Sequence, residues 1–193
     1  MRPLLLLLAL STTVVAQSHD HAPAPSATHV HTHSVLGGAL VRDLETLRGR
    51  AFDQAFLSLM IAHHEAALEM STLTLATSKD AQVRGWANEV VLGQTGEVRE
   101  MRAMLGDFGL KLDARLHALM AGDMKSMIAD VRAARPRDEA WVSGMALHHG
   151  LGVVMATLAL TNSDNLLVQM LARNIVVLQA RQLAEYRTWR PNL

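Results

Sequence analysis

Apolar side chains recur at three- and four-residue spacing through two long stretches, 52–106 and 138–190, as in helices that bury one stripe. In the first stretch Phe56, Met60, His63, His64 and Ala67 fall toward one face, with Glu65 and Glu69 opposite. Polar breaks at Thr77-Ser78-Lys79-Asp80 and Asn162-Ser163-Asp164-Asn165 supply capping residues and split each stretch in two. The pattern predicts helices over 52–77, 80–106, 138–162 and 164–190. A fifth, near 113–134 and ended by Pro136, is expected between them.

The two stretches are copies of one another. Aligned without gaps at an offset of 85 residues, positions 53–102 give 17 identities, far above chance. Among them are Asp53/Asp138, Met60/Met145, His63/His148, His64/His149, Met70/Met155 and Gln94/Gln179. A lone helical hairpin leaves its apolar stripe in water, so two in tandem predict an all-α four-helix bundle with a linker helix. In the second copy the places of Ala62, Ala66 and Glu69 are taken by Leu147, Leu151 and Val154, and Leu158 continues the row. This helix is apolar nearly all round, and either the linker helix or a second copy of the chain must cover it. Its length and apolarity suit a membrane span, but two central histidines and an amphipathic sister helix argue against one.

Residues 1–16 carry Arg2, an apolar run from Leu4 to Leu10 and the small-residue end Val14-Val15-Ala16, the layout of a secretory signal cleaved after Ala16. A periplasmic or secreted protein is expected. Residues 17–35 hold His19, His21, His29, His31 and His33 among Pro, Ala, Ser and Thr, and with almost nothing to bury they are expected to be disordered. Clustered imidazoles suit copper, zinc or nickel, and His19 in third position after cleavage would complete a square-planar Cu(II) chelate. A solvated linker with incidental histidines is the plainer reading. The bundle itself is expected over 36–193.

Composition narrows the chemistry. The 18 basic and 18 acidic residues balance, and loss of the leader leaves a net charge near −1, without the basic excess of a nucleic-acid binder. Cysteine is absent, which removes disulfides, thiolate metal sites and cysteine nucleophiles. There is no Gly-rich phosphate loop, nucleophile elbow or HExxH. What stands out is 10 His and 11 Met.

On the inward faces lie His63, His64, His148 and His149, accompanied by Asp53, Asp138, Gln94, Glu97 and Gln179. Burying this set costs several kcal/mol unless its members bond to one another or hold an ion. A soft-cation site drawing also on Met60, Met70, Met101, Met145 and Met155, or a hydrogen-bonded structural network, would each explain it. In the linker, His117, Met120, Met124 and Met127 share one face; they form a Cu(I)-type ligand set or simply a docking stripe.

The spacing DxxFxxxMxxHH (Asp53, Phe56, Met60, His63, His64), followed by Gln94, Glu97 and Met101, resembles a secreted bacterial family of unknown function with a paired-histidine motif, in the ferritin-like superfamily. Some of its members are implicated in periplasmic copper binding and resistance, so the resemblance implies a copper-binding role. The resemblance implies that the four paired histidines are functional, with Met60, Met70, Met145 and Met155 as soft ligands. The second copy departs from the pattern at Trp141, Gln182 and Tyr186. A di-iron oxidase would need Glu-x-x-His, which is absent, and zinc or iron fits a His/Met set less well than copper. The expectation is an exported copper buffer, store or carrier. Its rivals are a ferritin-like oxidase or peroxidase and a metal-free structural or partner-binding bundle.

Overall fold

A computed structural model describes residues 38–190 and is all-helical over that range. The leader, the histidine tail with His19, His21, His29, His31 and His33, and the last three residues lie outside the described residues. Seven helices follow in order: α1 (Gly38–Thr46), α2 (Gly49–Leu75), α3 (Ala81–Asp107), α4 (Ala114–Asp123), α5 (Lys125–Ala133), α6 (Arg137–Asn162) and α7 (Leu166–Tyr186). Helices α2/α3 and α6/α7 are the two repeated hairpins, and α2 packs along α6 to join them.

The breaks cap helices as the sequence requires. Asp80 accepts the backbone N–H groups of Gln82 and Val83 at the start of α3, and Asn165 accepts that of Leu167 at the start of α7. Asp113 caps α4 in the same way, on Arg115 and Leu116. The expected single linker helix is two, broken at Met124 after the weak helix formers Gly122 and Asp123. Helix α1, not anticipated, lays Leu40 and Leu44 into the core. At its end, Glu45 O accepts a hydrogen bond from Asn162 Nδ2 at the far end of α6.

The linker's docking corrects one expectation. It lies chiefly on α2 rather than over α6. The outward face of α2 supplies small residues that let a helix approach, Ser58, Ala62 and Ala66, all buried. It also supplies polar anchors. Ser58 Oγ accepts from Asp113 N, Gln54 donates to Lys111 O, Glu65 binds His117, and Glu69 binds Arg132. Helix α5 reaches the first half of α6, around Trp141, Gly144 and Met145, with Met127 and Val131. The larger side chains of the second copy therefore stay partly in water, with Leu147 47% and Val154 49% exposed. Leu151 and Leu158 are half-buried. Met120, Met124 and Met127 are core residues, as a docking stripe requires.

Substituting Ala62 by Leu should overpack the α2–α4 seam and cost about 1–3 kcal/mol in urea unfolding. Leu147→Ser, on the half-open face of α6, should stay within roughly 0.5 kcal/mol of the parent.

Candidate metal centre

His63, His64, His148 and His149 lie mid-helix on α2 and α6 and are fully buried. The rings of His63 and His148 stack across the α2–α6 seam, centroids 3.6 Å apart and 25° from parallel. His63 Nε2 lies 3.0 Å from His148 O, and His148 Nε2 lies 2.8 Å from His63 O. Both pairs are separated by the repeat offset of 85, so an approximate two-fold axis runs between the two rings. The same axis relates the flanking pair. His64 Nε2 is 2.8 Å from Glu97 Oε2, and His149 Nε2 is 2.9 Å from Gln182 Oε1, each 33 residues apart.

These contacts fix where the protons sit. Carbonyl, amide and carboxylate oxygens accept, so every Nε2 carries its hydrogen and donates it. In a neutral imidazole the other nitrogen is then a bare lone pair. The Nδ1 atoms of all four histidines are buried and have no hydrogen-bond partner. Burial, reinforced by the neighbouring imidazoles, pushes His63 and His148 well below the usual histidine range. Burial lowers His149 to about 4, against the acceptor Gln182. A neutral ring with one N–H anchored on a carbonyl or carboxylate and a free nitrogen opposite is the state in which histidine ligates metal.

Thioethers flank the axis. Met60, Met101 and Met155 are buried in one apolar cluster, and Met70 and Met145 in the other with Trp141 and Tyr186. Where repeat one has Phe56 and Met101, repeat two has Trp141 and Tyr186; the Tyr186 hydroxyl comes within 3.4 Å of His149 Nε2. Gln94 and Gln179 are buried with unpartnered amide atoms. The Gln179 amide occupies space left by Gly152, where a methyl group would overlap Gln179 Oε1 and press on Cε1 of His63.

Other sequence candidates lie elsewhere. Asp53 is about three helical turns from His64, roughly 16 Å along α2, and packs by Ser163 at the end of α6. Burial raises its pKa more than the Ser163 hydrogen bond lowers it. Asp138 occupies the matching place at the start of α6. His117 turns to Glu65, 2.9 Å away on the outer face of α2. Among the described residues no three His, Asp or Glu side chains converge as a ready metal cage. The roles of Gln182 and Tyr186 in holding His149 were not read from the sequence, where they stand only as departures from the first repeat.

Because the unfolded chain protonates His149 near pH 6.5 and the folded chain only near pH 4, acid favours unfolding. Metal-free protein should lose stability from about pH 6.5 downward, at up to roughly 1.4 kcal/mol per pH unit for each such histidine. Denaturant melts at pH 7.5, 6 and 5 check this; a flat profile would contradict the buried neutral rings.

The match to known proteins follows this geometry. The family model described as "Domain of unknown function (DUF305)" matches residues 1–105 and 114–193. Uncharacterized protein L153 of Acanthamoeba polyphaga mimivirus is 32% identical over 63 residues, which are 32% of this chain and 41% of that protein. The chain thus spans less than half the length of this curated relative. A DUF305 fragment from Deinococcus radiodurans has a TM-score of 0.63 at 27% identity, covering 72% of this chain and 95% of that one. CopM, solved in Cu(I)-bound and Cu(II)-bound forms, gives TM-scores of 0.60 and 0.62 at 21% and 24% identity, covering 71% of this chain and 94% of CopM in each form. The chain belongs to the DUF305 family.

Proposed function

We propose that this chain is an exported copper-binding protein that buffers, stores or transfers the ion. The observation that carries the reading is the set of four buried imidazoles, each with its Nε2 hydrogen engaged and its Nδ1 lone pair unpartnered. Each unpartnered buried nitrogen costs about 1–3 kcal/mol, and a bundle selected only for stability gains nothing from four of them. A cation at Nδ1 recovers that cost.

Copper suits the donors better than harder metals. Imidazole binds copper, zinc, iron and nickel alike, but the buried thioethers, of which Met60 and Met145 stand one helical turn before the paired histidines, favour Cu(I). His63, His64, His148 and His149 would supply nitrogen, Met60, Met101 and Met155 sulfur on one side of the axis, and Met70 and Met145 on the other. Gln94 and Gln179 border the rings as weaker oxygen donors. Glu97 acts through His64, whose ring it orients. Copper is cargo in this reading, and no catalytic role is assigned. The copper-bound forms of CopM support it by likeness of fold. Export rests on the leader-like residues 1–16, and a DUF305 protein of Streptomyces coelicolor described as secreted is similar in structure, with a TM-score of 0.62 at 22% identity over 69% of this chain and 88% of that one. The tail histidines would bind Cu(II) independently of the Cu(I) held by the bundle.

Competition with a coloured Cu(I) chelator tests this. The full chain should take up Cu(I) in simple stoichiometry, with Ag(I) competing. Changing His63, His64, His148 and His149 to Ala, with helicity checked by circular dichroism, should weaken Cu(I) binding about 100-fold or more, roughly 3 kcal/mol. Deleting residues 17–35 should remove Cu(II) binding and spare Cu(I). A tail deletion that abolishes all copper binding would remove the bundle from the account.

A further inference from the structure

The approximate two-fold axis makes the two halves of the centre comparable residue by residue, and they differ in access to water. Helices α3 and α7 meet near the axis, where Gly93 faces its repeat equivalent Leu178. To one side of that meeting point lies a cleft of about 270 Å³ lined by Glu97, Arg173, Asn174, Val177, Leu178 and Arg181. Glu97 is the contact between this cleft and the histidines. Its side chain is 15% exposed, and its Oε2 holds the fully buried His64 ring at 2.8 Å.

Repeat two lacks such an opening at its matching residue. Gln182, in the place of Glu97, is 2% exposed. His149 is held by Gln182 and lies against Tyr186, which in turn packs edge-on against Trp86 and Trp141. Arg181, at the edge of the cleft, spans the seam from there to Glu89.

We propose that the α3–α7 cleft is the port through which copper reaches the buried imidazoles, with Glu97 as its gate. The proposal rests on the copper-binding reading above. An incoming ion meets the Glu97 carboxylate first, a weak, hard ligand for Cu(I) that releases it readily. Among the described residues Glu97 is the hydrogen-bond partner of the His64 ring, so when it lets go of the Nε2 hydrogen the ring can turn and present Nδ1. His63 and His148 stay pinned to backbone carbonyls. The half-site behind this gate is also the richer in sulfur, with Met60, Met101 and Met155. Charge does little to steer the ion, because Arg181 is matched by Glu89 and Glu185, and the cleft is lined by both Glu97 and Arg173. Entry is controlled by shape.

The repeat supplies its own control. Val177 in the cleft and Leu92 at the equivalent place in repeat one are both strongly exposed, so a larger side chain at either leaves the core intact. Uptake of Ag(I) and Cu(I) by the full chain is followed in stopped flow through quenching of its three tryptophans, Trp86, Trp141 and Trp189, which lie in the bundle and not in the tail. Val177→Phe should slow uptake about tenfold with unchanged final stoichiometry, whereas Leu92→Phe should load like the parent. Glu97→Ala, which removes the gate, should load faster than the parent. Equal rates for the two Phe variants with normal stoichiometry overturn the port alone. A parent chain that takes up neither ion overturns the copper-binding reading, and the port with it.

Discussion

Two imidazoles hydrogen-bonded to each other's backbone set the geometry of this bundle. Each ring of the His63/His148 pair spans the seam between α2 and α6 and donates to the carbonyl of its partner. That reciprocity fixes the axial register of two antiparallel helices and the tautomer of both rings. It also requires the helices to run close enough for stacking at 3.6 Å. Leucine could fill the space but could not define the register. The bundle carries four unpartnered ring nitrogens only because large side chains buried along its core, such as Phe52, Phe56, Leu57, Ile61 and Trp141, offset their cost.

Duplication followed by divergence accounts for the rest. On the axis the copies are interchangeable, and His63 and His148 are held alike. Away from it they part. Repeat one keeps a carboxylate behind His64; repeat two has an amide behind His149 and beside it the Tyr186 phenol, itself packed edge-on against two indoles. The outer faces part in the same way. Small residues on α2 receive the linker helices, while the bulky Leu147 and Val154 on α6 stay half exposed. One half of the centre thus faces a solvent cleft and the other is walled in.

Much of this was legible in the sequence, because helical periodicity and a gap-free repeat are strong local signals. The four long helices, their capping at Asp80 and Asn165, and the inward placement of the paired histidines follow from spacing alone. What escaped depends on contacts between distant segments. The linker's choice of α2 over α6 turns on the row Ser58, Ala62, Ala66 and on the anchors Gln54, Glu65 and Glu69, which read simply as a solvated face. Gln182 and Tyr186 looked like lost ligands, yet they hold the His149 ring. Asp53 and Asp138 share the helix face of the histidines, but a helix rises too far in three turns for them to join the centre. Tautomers are invisible in a sequence, since they are set by which oxygen lies opposite each nitrogen.

The central claim, that four Nδ1 lone pairs are held free for a soft cation, is open to direct observation. Long-range 1H–15N correlation spectra of the histidine side chains separate Nε2–H from Nδ1–H tautomers in the metal-free protein and report which nitrogen an added ion touches. The account predicts Nε2–H for His63, His64, His148 and His149, and large 15N shifts at Nδ1 of one or more of them on titration with Ag(I). Nδ1–H tautomers in these rings, or spectra of the four that Ag(I) leaves unchanged, would contradict it.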